Sequence, residues 1–151
     1  MVCSRIIFVG QTGTCREAMA AGIMQEISLK HPIEILARGL VVQFSGPMNQ
    51  KAEAVMIGNG INMEGYNSEQ LSEEDITEGT LVLTMESVQR VRVLEQYENA
   101  NEENVHVLTE YVGDELEIID PYGGTLTAYG LCYESLRTSI WKLVKMINES
   151  L

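Results

Sequence analysis

Short apolar segments alternate with longer helical segments along the chain, and this alternation limits the folds open to it. Three continuous apolar runs are typical of buried strands: RIIFV (5–9), LVLTM (81–85) and VHVL (105–108). EILA (34–37) has a similar composition. Helical patterns separate these runs and are found at 18–30, 47–58, 86–97 and from Leu126 onward. Strands that alternate with helices favour a parallel sheet with helices on both faces.

We therefore expect a single α/β domain over residues 1–151, with three α/β/α layers and a central parallel sheet of about four strands. The segment 40–44 is also strand-like, although Gly39 separates it from EILA. Ser72 and Asp75 predict a short capped helix. The last helix has one apolar face, which makes Cys132 a core residue, and Trp141 should pack beside that face. The members of the face are Cys132, Leu136, Ile140, Leu143, Ile147 and Leu151.

The charge balance excludes two classes of partner. The chain has 22 acidic and 10 basic residues and a net charge of −12. Nucleic-acid backbones and anionic membranes both require a basic surface, so neither is an expected partner. The cysteines Cys3, Cys15 and Cys132 are far apart and form no metal-binding cluster with histidine. We expect no metal and no cofactor, and reduced thiols in a cytoplasmic protein without a signal peptide or membrane span.

The loop GQTGTCR between the first strand and the first helix is the main candidate binding site. Its residues are Gly10, Gln11, Thr12, Gly13, Thr14, Cys15 and Arg16. Backbone amides at a helix start attract anions, and an arginine can grip two phosphate oxygens. The loop matches neither GxxxxGK[ST] nor GxGxxG. From this stretch alone, a plain turn with a surface arginine is an equally acceptable interpretation.

The loop segment IIFVGQTGTCREAMA (6–20) resembles the C-x5-R loop of the low-molecular-weight protein tyrosine phosphatases, of the bacterial tyrosine or arginine phosphatase type. Other segments resemble this family in the same order along the chain. They are ARGL (37–40), SGPMNQKAEAVMIGNGI (45–61), SEQLSEEDI (68–76), LVLTMES (81–87) and IIDPYGG (118–124). The resemblance implies the family's α/β fold and its hydrolysis of phosphate monoesters.

The resemblance also implies roles for individual residues. The family's loop cysteine attacks phosphorus and forms a phosphocysteine, the loop arginine binds the phosphoryl oxygens, and an aspartate protonates the leaving oxygen. Arg16 would be the phosphate clamp, Asp120 the general acid and Tyr122 a residue of the rim. The nucleophile position falls on Gly10, which has no side chain. The resemblance therefore implies a divergent member that lacks the nucleophile.

Other loop positions also depart from the family's pattern. Thr12 stands where the family has glycine and is expected to crowd the loop. Gly13 stands at a left-handed position, which glycine adopts freely. Glu17 replaces a serine, and its carboxylate is expected to compete with phosphate and to pair with Arg16. These joint differences favour a natural glycine at position 10 over an engineered one.

Three functions follow from these observations. The first is a pseudophosphatase that retains binding of phosphate, sulfate or a phosphorylated protein. The second is an active phosphatase that uses Cys15, or water directed by Asp120. The third is an interaction protein with no pocket function, whose contacts would lie in the acidic stretch 68–78 or at four tyrosines. Those tyrosines are Tyr66, Tyr97, Tyr111 and Tyr122. His31 and His106 receive no catalytic role, and the oligomeric state stays open.

Overall fold

The centre of the molecule is a parallel sheet of four strands. The structure is a computed structural model that describes residues 3–150. The strands are β1 (Arg5–Gly10), β2 (Glu34–Gly39), β3 (Thr80–Thr84) and β4 (Val105–Val107), in the spatial order β2-β1-β3-β4. All neighbouring pairs are parallel. This confirms the predicted parallel sheet.

Within the described part of the chain, five α-helices connect or flank the strands. They are α1 (Arg16–Gln25), α2 (Gln50–Gly58), α3 (Ser87–Gln96), α4 (Leu108–Tyr111) and α5 (Leu126–Glu149). A single 3-10 turn covers Glu73–Asp75. Its capping box joins Ser72 and Asp75, as their spacing predicts. Among residues 3–150, no helix is both long enough and apolar enough to cross a membrane.

The sheet separates two apolar layers because neighbouring residues of a strand point to opposite faces. Ile6 and Phe8 of β1 face the larger core, which packs against α1, α2 and α5. Ile7 and Val9 face the smaller core, to which Val93 of α3 contributes. The result is the expected three-layer α/β/α arrangement. Cys132 is buried in the larger core, as predicted.

Several predicted segments are wrong in extent or type. Residues 40–44 form no strand: the amides of Leu40 and Val41 donate to the carbonyls of Gly10, the last residue of β1, and Gln11, and the regular pairing ends there. Helix α1 begins earlier than the apolar pattern predicts and ends at Gln25. The short helix α4 was not predicted. Trp141 is half-exposed and does not pack as expected, and Leu151 lies outside the described residues.

The carboxyl end of the sheet positions the candidate loop. Strand β1 ends at Gly10, which is in register with Gly39 at the end of β2. Helix α1 begins at Arg16, and its first backbone hydrogen bond joins the Met19 amide to the Cys15 carbonyl. Residues 10–16 therefore lie at the strand-to-helix corner where parallel α/β sheets bind ligands.

Candidate functional site

The loop backbone depends on two glycines. Gly13 has a φ of +75°, the left-handed conformation that glycine adopts without strain. Gly39 lies directly beneath the loop, and a Cβ at that position would be 2.6 Å from the Thr12 carbonyl carbon and 2.7 Å from the Gly13 nitrogen. The Tyr66 hydroxyl donates to the Gly13 carbonyl at 2.5 Å. The predicted left-handed conformation at Gly13 is confirmed. Thr12 is exposed and does not crowd the loop, contrary to expectation.

The side chain of Glu17 fills the interior of this loop. Its Oε2 accepts from the Gly13 amide and its Oε1 from the Cys15 amide, each at 3.1 Å. The residue is only 3% exposed. A Cβ at Gly10 would lie 1.7 Å from Glu17 Oε2 and 2.3 Å from its Cδ. The carboxylate of Glu17 thus occupies the space that any side chain at position 10 would need.

Burial and hydrogen bonding act on the Glu17 carboxyl in opposite directions. Burial raises its pKa above the usual range, because a charge is poorly solvated inside the protein. The backbone amides of Glu17, Gly13 and Cys15 lower the pKa, and so does the charge of Arg16. Burial is the larger effect. The loop therefore provides this carboxylate with the amide donors that a bound anion would otherwise use.

Arg16 points away from the loop interior. Its Nη1 donates to the Ile118 carbonyl at 2.7 Å, and its Nη2 donates to Glu86 Oε2 at 2.5 Å. The side chain is 5% exposed. Its ion pairs are with Glu86 and, at 3.8 Å, with Asp120. The pair between Arg16 and Glu17 expected from the sequence is not formed.

Asp120 and Tyr122 lie at the outer edge of the site. Asp120 is half-exposed, and its Oδ1 accepts from the Tyr122 amide at 3.0 Å. The Tyr122 side chain is almost fully exposed. The structure therefore places Asp120 beside Arg16 of the loop, far from it in the sequence. Glu17 lies between the loop amides where the resemblance would place a phosphate.

Comparison with known proteins identifies a family whose members resemble this chain over nearly its whole length. The family model for low molecular weight phosphotyrosine protein phosphatase matches residues 5–151. The chain belongs to this phosphatase family. The protein-tyrosine-phosphatase PtpB of Staphylococcus aureus is 32% identical, over 95% of this chain and 99% of its own.

Solved structures of the phosphatase family superpose closely. The YwlE arginine phosphatase of Geobacillus stearothermophilus has a TM-score of 0.90 and 28% identity, and the match covers 97% of this chain and 94% of that one. The low molecular weight protein tyrosine phosphatase of T. tengcongensis has a TM-score of 0.87 and 30% identity, with coverages of 94% and 98%. The family and its three-layer fold, both expected from the sequence, are confirmed.

Cys15, which the sequence offered as an alternative nucleophile, is in an environment that disfavours its thiolate. It precedes α1 and packs partly against the larger core. Burial, with further contributions from Cys132, Glu17 and Asp120, raises the pKa of its thiol to about 12. A thiol needs to ionise before it attacks phosphorus. Cys15 therefore stays protonated near neutral pH.

Two contacts of the site were not foreseen from the sequence. Glu86, in the segment LVLTMES, caps α3 together with Gln89 and also binds Arg16. The Ile118 carbonyl completes the Arg16 environment. Glu86 is recognisable in the sequence as the acidic residue of LVLTMES, but only the tertiary structure shows that it binds Arg16. A backbone carbonyl leaves no signal in the residue pattern.

The tyrosines and the acidic stretch 68–78, proposed from the sequence as contact surfaces, differ in burial and in their hydrogen bonds within the protein. The hydroxyls of Tyr66 and Tyr97 donate to backbone carbonyls, and Tyr111 packs against the core. Of the four tyrosines, only Tyr122 has most of its surface exposed. Within 68–78, Ser68, Leu71 and Ile76 are buried, which reduces the surface that this stretch offers to a partner. His31 and His106 each contact a backbone carbonyl away from the loop: Cys3 and Glu103, respectively.

Proposed function

We propose that this chain is a pseudophosphatase of the low molecular weight family, whose phosphate loop is occupied by its own Glu17. The observation that carries the proposal is the position of the Glu17 carboxylate, between two loop amides and 1.7 Å from the place of a Gly10 Cβ. In the family's chemistry this region holds the nucleophile and the substrate's phosphoryl group. In this chain the region holds the Glu17 side chain, which is neither a nucleophile for phosphorus nor a substrate.

Glu17 acts as a tethered competitor for the phosphate site. Its carboxylate is covalently attached, so it binds the loop amides without the loss of translational freedom that a free anion would suffer. A phosphate that entered would have to displace the Glu17 side chain from these amides. The position of Glu17 in the first turn of α1 also favours a negative charge there.

The remaining catalytic candidates do not replace the missing nucleophile. Glycine cannot attack phosphorus, and the Cys15 thiol has a pKa raised to about 12. Arg16 is engaged by Glu86 and the Ile118 carbonyl. Asp120 could still protonate a leaving group or direct water, but the site that would hold the phosphoryl group beside it is filled. We therefore infer a non-catalytic function, in the cytoplasm, for a chain whose relatives are named tyrosine or arginine phosphatases.

Anion binding and turnover test the proposal together. Inorganic phosphate is titrated into the wild type and into Glu17→Ser by calorimetry, and p-nitrophenyl phosphate hydrolysis is followed for both. We expect no turnover from either protein, and phosphate binding only after Glu17 is replaced. Glu102→Gln, a substitution at an exposed carboxylate far along the chain from the loop, serves as the control and should behave as wild type.

Two results would contradict the proposal. One is wild-type hydrolysis above background that Arg16→Ala abolishes, which would establish an active phosphatase. The other is phosphate binding of equal affinity in wild type and Glu17→Ser, which would show that the carboxylate does not close the loop. Cys15→Ser and Asp120→Asn, measured in the first case, separate the two candidate routes to activity.

A further inference from the structure

A second concave surface lies beside the loop, between the segment 114–124 and the first half of α5. It encloses a volume of about 760 Å³. Ile118 and Cys132 form part of its floor, and both are buried. Asp120 and Tyr122 belong to its edge, so it adjoins the phosphatase-like site without including Gly10 or Glu17. We call this surface the acidic groove.

Large apolar side chains surround the acidic groove and are poorly covered. Leu116, Ile119, Tyr122 and Leu131 all line it, with exposures between 66% and 82%. Single exposed apolar residues are ordinary on protein surfaces. Four of them around one concavity indicate a surface that is covered by a partner.

The charged residues of the acidic groove have one sign. Its lining contains the carboxylates of Asp114, Glu115, Glu117 and Asp120, and within residues 3–150 the lining includes no lysine or arginine. Asp114 is already bound by Lys142 and by the Ser139 hydroxyl.

The other carboxylates are less completely satisfied. Glu117 accepts only a backbone amide, from Ser87, and Asp120 is 3.8 Å from Arg16. Glu115 is exposed and enters no ion pair in the described part of the chain. Lys51 approaches one end, where its Nζ donates to the Gly124 carbonyl at 2.6 Å. The rim therefore offers negative charge to a ligand along most of its length.

We propose that the acidic groove binds a basic amphipathic segment of another protein. Its aliphatic or aromatic side chains would enter between Ile119 and Leu131, and its lysines or arginines would face Glu115 and Glu117. A second copy of this chain is a poor occupant, because at a net charge of −12 it would bring a further excess of carboxylates to an acidic rim. A basic segment combines the two properties that the surface lacks: apolar cover and positive charge.

A designed peptide tests this recognition without knowledge of the natural partner. The probe is a fluorescein-labelled peptide with leucine at i, i+3, i+4 and i+7 and lysine elsewhere, which presents an apolar face opposite a basic one. Binding is followed by fluorescence anisotropy at two salt concentrations. We expect saturable binding that weakens with salt, and binding about tenfold weaker for a scrambled peptide of equal composition. A leucine/glutamate peptide should not bind.

Paired variants locate the binding site on the protein. Ile119→Ser/Leu131→Ser removes the apolar contacts, and Glu115→Gln/Glu117→Gln removes the charges. Each should weaken peptide binding about tenfold, and the charge variant should also reduce the salt dependence. Trp141→Ser and Glu102→Gln change an exposed apolar residue and an exposed carboxylate outside the acidic groove, and should match wild type.

The opposite results overturn the proposal. Equal binding of the scrambled peptide, or equal affinity in wild type and both groove variants, would show that attraction to the acidic surface as a whole is responsible. A dimer in sedimentation that Ile119→Ser/Leu131→Ser dissociates would assign the groove to a second copy. Glu17→Ser should bind the peptide as wild type does. Peptide binding by the acidic groove and closure of the loop by Glu17 are therefore tested independently.

Discussion

At the residue scale, Gly10 and Glu17 form one structural feature. The carboxylate of Glu17 accepts from the Gly13 and Cys15 amides, and it reaches them through the space left by the missing Gly10 side chain. A cysteine at position 10 and a glutamate at position 17 cannot coexist in this conformation. The residues at positions 10 and 17 are therefore coupled by sterics rather than independent.

This coupling predicts non-additive substitutions. Gly10→Cys alone should destabilise the protein by about 1–3 kcal/mol or more, because the new side chain collides with the buried carboxylate. Gly10→Cys/Glu17→Ser should recover most of that loss, and it should hydrolyse p-nitrophenyl phosphate with formation of a trapped phosphoenzyme. Urea unfolding and mass spectrometry provide the measurements. Additive effects of the two substitutions on stability would contradict the coupling.

The raised pKa of Glu17 predicts a dependence of stability on pH. Since the folded protein holds this proton more tightly than the unfolded chain, whose ordinary value is 4.5, stability is highest below that pH and falls as pH rises through the folded pKa. The slope for one proton is at most about 1.4 kcal/mol per pH unit. Urea unfolding of wild type and Glu17→Gln from pH 4 upward measures it.

Glu17→Gln should lack this contribution, so the stability of wild type relative to the variant should decrease with rising pH. Asp114 titrates in both proteins and cancels in the comparison; its pKa is lowered by Lys142 and Ser139. A constant difference between the two proteins across the range would show that the Glu17 pKa is not raised.

At the scale of elements, α2 is hydrogen-bonded directly to the loop 10–16. Asn49 caps this helix, and its side chain accepts from the amides of Lys51 and Ala52. The Asn49 backbone amide donates to the Thr14 carbonyl of the loop at 2.8 Å. The start of α2 and the loop therefore share a residue that satisfies backbone groups in both.

Removal of the Asn49 cap should weaken α2 without breaking its contact with the loop. Asn49→Ala is expected to lose about 1 kcal/mol of stability, because two helix amides lose their acceptor while the backbone bond to Thr14 is retained. Asn49→Ser, which restores an acceptor, should recover most of the loss. Thermal and urea unfolding compare the three proteins, and equal stability of all three would contradict the assignment of the cap.

Prediction of the elements from sequence succeeded where the residue pattern is strongly periodic or continuously apolar. Strands β1, β3 and β4 coincide with RIIFV, LVLTM and VHVL to within a residue or two at either end. The segment 40–44 has the composition of a strand, yet only its first two amides bond to the end of β1 and the start of the loop, at Gly10 and Gln11. β-Propensity describes only the local preference of a segment, and here the tertiary contacts with the neighbouring loop override it.

At the scale of the whole molecule, α5 has one face in the core and another face that lines the acidic groove. Leu136 is completely buried against the larger core, whereas Leu131, one and a half turns earlier, lines the acidic groove with most of its surface exposed. Burial of one face of α5 in the core is therefore expected to stabilise the fold, whereas the other face contributes to the candidate docking surface.

The two leucines should therefore respond differently to the same substitution. Leu136→Ala is expected to lower the free energy of unfolding by about 2–5 kcal/mol, because it leaves a cavity in the core. Leu131→Ala should change it by no more than about 0.5 kcal/mol. Urea unfolding measures both, and similar losses would show that the groove is part of the folding core.

The sequence by itself determined the α/β class, the loop at the end of β1, the lack of a side chain at Gly10 and the acidic net charge of −12. These are properties of periodicity, motif and composition. Only the tertiary structure decided that Glu17 occupies the loop, that Arg16 turns to Glu86 and the Ile118 carbonyl, and that apolar and acidic residues meet in one groove. Such contacts join residues far apart in the chain, and their geometry depends on how helices pack on the sheet, which no local pattern records.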